Sequence, residues 1–427
     1  MMHPGSSNSN RRVLVVGTTP DYVQWIRAAQ PGRVLFLTED RLRRETREPR
    51  PEPDEEITAS LDEAGVDALE EAVRAHLNGF GLALGGIACF DCERMALASE
   101  LAGRFGLRYP STAAILRCRD KSQSKSAWRE HGVGCPRFGV PASAEELKSL
   151  TTRWNSPFVI KPLTGSGSEL VFRCDSHEEG EAAFLRTAAF LAAKRESPMY
   201  RESVNGRPGI LVEEWVSGPE YSCDFLLRDG QVTLVRLCGK HLREGSPFGV
   251  TEAYELIGVD ESPFEASRLR RELGRAAASL GIDDAWCMAD FLERDALPVF
   301  LEITPRPGGD CLPWLLRAAS GRDVLMELLD FAERRPVPRA AVEAKAVGLR
   351  LFAAGEGTLR HIETGRLLED PRVRDVTLRR RPGDRIALPP KDYDAWILGH
   401  AVYVPEPGRS IACQNGELAE RIDVRWE

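Results

Sequence analysis

Residues 299–316 read VFLEITPRPGGDCLPWLL. They begin as an apolar strand and break at Pro305-Arg306-Pro307-Gly308-Gly309. Residues two apart on a strand share a face, so Glu302 and Thr304 point the same way, with Arg306 just beyond them. The preceding strand, AWCMADFLE, carries Asp290. A turn around Asp295-Ala296-Leu297 sets Asp290 almost opposite Glu302 in an antiparallel pair, at a Cβ separation of roughly 4.5–5.5 Å. Two carboxylates that close repel unless a cation lies between them or one stays protonated. Few hard oxygen ligands with room left for phosphate suit Mg²⁺. Alone, the hairpin reads equally well as two acids facing water.

A chain of 427 residues has room for roughly two to four domains. Its hydrophobic fraction of 42% and charged fraction of 29% are those of a soluble globular protein. A net charge of −8 and the lack of a long basic patch speak against nucleic acid. No apolar run approaches the ~20 residues that span a bilayer. The start, MMHPGSSNSNRR, lacks the apolar core of a secretory signal, and residues 1–11 read as a disordered tail. The ten cysteines are scattered, which suits reduced thiols and a cytoplasmic protein. Cys89 and Cys92 form a CxxC pair with no second pair to complete a zinc site. They read as two small residues at the end of a buried strand.

RVLVVG, Arg12 to Gly17, is a short apolar run of the kind buried in parallel sheets. DYVQWIRAA then reads as helix and RVLFLTE as strand, a βαβ start. The turn GTTPD lacks GxGxxG, so no dinucleotide site is expected there. Residues 41–56 mix charge with proline and read as a solvated loop. Helix is expected from about Ser60 to His76, strand in GLALGGIACF, and helix in ERMALASELAGRFG up to Gly106. Residues 12–110 therefore read as a doubly wound α/β domain.

Further on, RDKSQSK places Lys121 and Lys125 on a helix. In PFVIKPLTGSGSELVFR the strand FVIK presents Lys161, and TGSGS joins it to ELVFR. Glycines allow φ > 0 and close backbone approach. Successive backbone N–H groups, with the hydroxyls of Ser166 and Ser168, can then cradle phosphate. Without GK[ST] or a following helix this is not a P-loop, and a plain glycine-rich hairpin is the other reading. A helix from about Glu178 to Lys194 follows, then strands in ILVEEWV and YSCDFLL joined by SGPE. Lys240 ends another strand, and a helix over 263–281 leads back to the Asp290 hairpin. His241 reads as structural, and Trp128, Trp154 and Trp314 as core or surface anchors.

The motifs RDKSQSK, VIKPLTGSGSELV, VEEWVSGPEYSCDF, GKHLREG and LEITPRPGG, in this order, resemble the ATP-grasp superfamily and its carboxylate–amine ligases. The resemblance implies α/β and α+β architecture: an N-terminal α/β domain at 12–110 and an ATP-grasp domain at 111–340, with a flap subdomain at about 135–210. A β-rich C-terminal region at 341–427, where PGD precedes GHAVY, resembles the closing part of L-amino-acid ligases. It implies ATP and Mg²⁺, with Mn²⁺ as a substitute. Lys121 and Lys161 would hold phosphates under a flap of Gly165, Ser166, Gly167 and Ser168. Glu213, Glu214, Trp215 and Val216 would line the adenine, and Glu220 would take the ribose hydroxyls. Lys240 would reach the γ-phosphate, Asp290 and Glu302 would hold the metal, and Arg306 would face the phosphoryl group and a substrate carboxylate. Thr304 stands where the family usually has asparagine as a third metal ligand, which puts a second metal ion in doubt.

The implied reaction makes an acyl phosphate from a small carboxylate, which an amine then attacks, giving ADP and phosphate. An amino acid is the favoured substrate. Glu252, Asp310 and bulk water are all open as acceptors of the amine's proton. No membrane or nucleic-acid partner is expected, and a homodimer follows from the family alone. An ATP-dependent carboxylase or purine-pathway-type ligase on the same fold, and a non-catalytic ATP-binding regulator, are the alternatives.

Overall fold

The computed structural model describes residues 10–154, 156–165, 167–194, 197, 199–200, 209–245, 247–339, 341–342 and 344–427. The N-terminal part holds four parallel strands, β1 (Arg11–Val16), β2 (Val34–Glu39), β3 (Glu56–Ala59) and β4 (Ala83–Ala88), in the order β3-β2-β1-β4. Alternation along β1 sends Val13 and Val15 to one core and Leu14 and Val16 to another. Helix Pro20–Ala29 covers the first face, and helices Val66–Phe80 and Met95–Phe105 cover the second. Both faces are therefore apolar, as a doubly wound sheet requires. Three details differ from the sequence reading, the first being that helix Asp40–Glu45 opens the stretch expected as loop. The helix expected from Ser60 begins at Val66, after Gly65. The loop expected over 41–56 gives way to strand at Glu56, because EITA adds an edge to β2.

A second sheet holds β5 (Phe138–Gly139), β6 (Phe158–Pro162), β7 (Phe172–Cys174) and β8 (Ile210–Glu214), in the order β5-β8-β6-β7. Helices Ala144–Trp154 and His177–Ala193 pack on it through Leu147, Phe184 and Leu191.

Next come β9 (Glu220–Arg228), β10 (Gln231–Leu242), β11 (Thr251–Leu256), β12 (Ala285–Arg294) and β13 (Leu297–Thr304). The C-terminal strands are β14 (Val347–Phe352), β15 (Gly357–Glu363), β16 (Val373–Leu378), β17 (Arg385–Ile386), β18 (Ile397–Tyr403) and β19 (Asp423–Trp426). Eight strands make one sheet, β13-β12-β9-β10-β11-β14-β18-β16, and β17-β15-β19 make a small one. The β-rich C-terminal region is thus not set apart: β14 pairs with β11 and carries β18 and β16 into the central sheet. On the rear face, Phe225, Phe291, Phe300 and Ile303 pack against Leu269, Leu273 and Ala277 of helix Ala266–Ser279.

Candidate active site

The hairpin of β12 and β13 turns on Asp295 and Ala296 alone, at φ 56° and 57°. Two residues with positive φ suit the right-handed twist of the flanking strands. The turn fixes the register, and Asp290 stands opposite Glu302 and Met288 opposite Thr304. On the next strand Asp290 faces Ser222, and on the one beyond Ser222 faces Cys238. Directly opposed residues share a face. Glu302, Thr304, Asp290, Glu220, Ser222, Asp224, Arg236 and Lys240 therefore form one polar stripe across four strands.

Lys240 crosses this stripe. Its ammonium donates to Glu220 and, at 2.8 Å, to Asp290 Oδ2. Burial works against the Lys240 charge, but Asp290 and Glu220 outweigh it and raise its pKa well above the ordinary value. Asp290 Oδ1 is buried and takes no hydrogen bond among the described residues. Such an oxygen is costly to leave unpaired. With Glu302 facing it, the site offers two carboxylates and one open buried oxygen, a donor set that fits a hard divalent cation.

Above the stripe, Lys121 begins helix Lys121–Glu130, capped by Asp120, whose side chain accepts from the N–H groups of Ser122 and Gln123. Lys121 Nζ is 3.9 Å from Glu302 and donates to the Gly165 carbonyl at 3.2 Å. Burial and the neighbouring Lys161 and Arg119 lower its pKa, against the pull of Glu302 and Glu213. The loop after β6 turns tightly here: Gly165 and Gly167 have φ 128° and 67°, and Ser168 and Leu170 are also at positive φ. Ser168 Oγ donates to the Gly249 carbonyl at 2.6 Å, and Tyr200 donates to Glu169. Ser166 lies outside the described residues.

Lys161 reaches Glu213 Oε2 at 2.9 Å, and Lys125 reaches Glu213 Oε1 at 3.0 Å. Lys125, wholly buried, also donates to the carbonyls of Phe300 and Leu301. Burial alone would raise the Glu213 carboxyl, but the two lysines prevail and lower it. The Glu213 side chain is thus committed to an ion triad that ties the β5-β8-β6-β7 sheet to β13. Glu214 accepts from the backbone and Nε of Arg137. Trp215 lies under the Arg173 guanidinium at 4.7 Å and edge-on to Phe248, and Val216 is buried.

Arg306 donates from Nε to Cys92 Sγ at 2.8 Å and from Nη1 to the Pro307 carbonyl at 2.6 Å. The loop beneath it is pinned by a pair that the sequence reading passed over. Asp224 and Arg236, both essentially buried, lie 2.9 Å apart, and both Asp224 oxygens accept the Gly308 N–H at 3.1 Å. The signal was present in the period-two spacing Glu220, Ser222, Asp224. Of the proposed proton acceptors, Asp310 is paired with Arg350 at 2.8 Å and Glu252 accepts from Asn415. His241 is bound to Glu255. The CxxC cysteines form no disulfide, and burial raises the pKa of both.

Residues 154–312 match the family profile of the ATP-grasp domain. The chain carries an ATP-grasp domain. In sequence it is 26% identical over 360 residues to the uncharacterized protein y4rH of Sinorhizobium fredii, covering 83% of this chain and 70% of that one. A probable alpha-L-glutamate ligase of Aeromonas salmonicida is 26% identical over 230 residues, covering 52% of this chain and 66% of the relative. In fold, the ATP-grasp chain matches the L-amino acid ligase from Bacillus licheniformis with a TM-score of 0.76 at 18% identity, over 99% of this chain and 100% of that one. Among the described residues no helix is long and apolar enough to cross a membrane.

Proposed function

We propose that this ATP-grasp protein activates an amino-acid carboxylate as an acyl phosphate and joins it to an amine. The ATP-grasp domain, with relatives named as a probable alpha-L-glutamate ligase and a D-alanine–D-alanine ligase, supports an ATP-dependent, amide-bond-forming ligase. The acyl phosphate route, the amino-acid substrate and the residue roles are this reading's own. The observation that carries it is the facing pair Asp290 and Glu302, with Lys240 bound to Asp290 and with Lys121 and Arg306 near Glu302.

Asp290 and Glu302, with Thr304 alongside, would hold Mg²⁺ or Mn²⁺, which would neutralise phosphate charge. Lys121 and Lys161 hold phosphate oxygens, and Gly165, Gly167 and Ser168 close over them to exclude water. Glu214, Trp215 and Val216 line the adenine, and Glu220 takes the ribose hydroxyls. Lys240 and Arg306 add positive charge where the phosphoryl group transfers. The substrate carboxylate, already ionised, attacks the γ-phosphorus, and ADP leaves. The amine nitrogen then attacks the acyl carbon, the bond to phosphate breaks, and the amine's proton passes to solvent. Thr304 offers one short oxygen, which supports a single metal ion. The unpaired thiols support a reducing, cytoplasmic setting.

The test is a substrate-pool screen with ATP, read by mass spectrometry. ADP formation should require two pool members together, with an adduct of their summed mass less water. No ADP with any pool would favour a non-catalytic ATP-binding protein, and ADP formation requiring bicarbonate would favour a carboxylase.

A further inference from the structure

We infer that Cys92 is a positioning residue for Arg306, holding its guanidinium near Glu302 without cancelling its charge. The inference rests on the reading above that Arg306 acts on the reacting groups. Cys92 lies on the short turn Cys92–Arg94 after β4, in the N-terminal α/β part, and Arg306 lies just past β13, 214 residues away. The contact is therefore a tether between two parts of the molecule. Nε goes to the thiol and Nη1 to the Pro307 carbonyl, which fixes the plane of the guanidinium. Among the described residues Nη2 has no protein acceptor, so this edge of the fork is left for a ligand.

The choice of sulfur matters. Asp91 and Glu93 flank Cys92 in the chain, yet the group that meets Arg306 Nε is the thiol. A carboxylate there would pair with the guanidinium and compete with phosphoryl or carboxylate oxygens for it. Burial keeps Cys92 a neutral thiol, although Arg306 pulls the other way. A neutral sulfur accepts a hydrogen bond weakly, enough to orient and too little to neutralise.

The experiment compares Cys92→Ser, Cys92→Ala and Cys92→Asp with Arg306→Lys, by kcat, KM for ATP and melting temperature. Serine keeps an acceptor and should stay within about threefold of wild-type kcat. Alanine should lose roughly tenfold to a hundredfold in kcat with KM for ATP unchanged, the scale of a misplaced reacting group. Aspartate, though it restores an acceptor, should lose more than alanine. Wild-type kcat in Cys92→Ala would overturn the inference, as would equal losses in Ser and Ala or an aspartate variant as active as serine. If Arg306→Lys itself turned over normally, the reading of the site would fail first. If Arg306→Lys were inactive and Cys92→Ala normal, only the positioning role would fall.

Discussion

Asp290 stands directly across from Glu302; among the described residues its Oδ1 is buried without a hydrogen-bond partner, while its Oδ2 accepts from the Lys240 ammonium. One carboxylate thus serves a fixed cation and leaves a place for a mobile one. Glu302→Ala should lower kcat by at least a hundredfold, the scale of removing a charge-stabilising group, with little change in melting temperature. Asp290→Asn should lose turnover as well. Turnover should also stop when divalent cations are chelated and return on adding Mg²⁺. A Glu302→Ala variant with wild-type kcat would contradict the metal roles.

Glu213 joins the buried Lys125 to Lys161. Removing its carboxylate leaves Lys125 charged and unpaired in the core. Glu213→Ala should therefore destabilise the fold by about 3–5 kcal/mol, read by denaturant melts. Unchanged stability would show that the triad is not what ties the β5-β8-β6-β7 sheet to β13.

Gly308 has no room for a side chain. A Cβ there would lie 2.5 Å from Arg236 Nη2 and 2.7 Å from Leu312 Cδ1, whereas one on Gly309 would meet Arg306 Nη1 at 3.6 Å, an ordinary contact. Gly308→Ala should cost about 1–3 kcal/mol and most of the turnover, because the loop beneath Arg306 must shift. Gly309→Ala should fold normally. Equal stability of the two variants would contradict the packing argument.

Burial, with the Asp91 carboxylate beside it, pushes the Glu93 carboxyl up to about 7, against the pull of Arg119. The folded state then holds a proton that the unfolded chain releases near pH 4.5. Stability from this group is full below pH 4.5 and is lost as pH rises towards 7, by roughly 1–3 kcal/mol. Glu93→Gln should flatten that decline in melts taken from pH 5 to 8. An unaltered slope would place the titration elsewhere.

Much of the hairpin was legible because its determinants are local. Alternation put Glu302 and Thr304 on one face, and the short turn at Asp295-Ala296 set the register with Asp290. Lys161 and the glycines after it were readable from adjacent strand and turn signals, but the strand expected from Glu169 begins only at Phe172, because Leu170 still belongs to the turn at φ 56°. Contacts between distant segments were not. Nothing near Cys92 in the chain announces Arg306, and nothing near Lys125 announces Glu213. β3 escaped notice because EITA is short and half polar and gains its partner only from β2. The joining of β14, β18 and β16 to the central sheet depends on strand order, which alternation within each strand does not encode.

The central claim is that the substrate carboxylate itself attacks ATP. It is tested most directly with amino acids carrying ¹⁸O in the carboxylate, incubated with ATP, Mg²⁺ and an amine, and by weighing the phosphate released. The account predicts one ¹⁸O atom in each phosphate, in step with amide formed. Amide formed alongside phosphate that carries no ¹⁸O would contradict it.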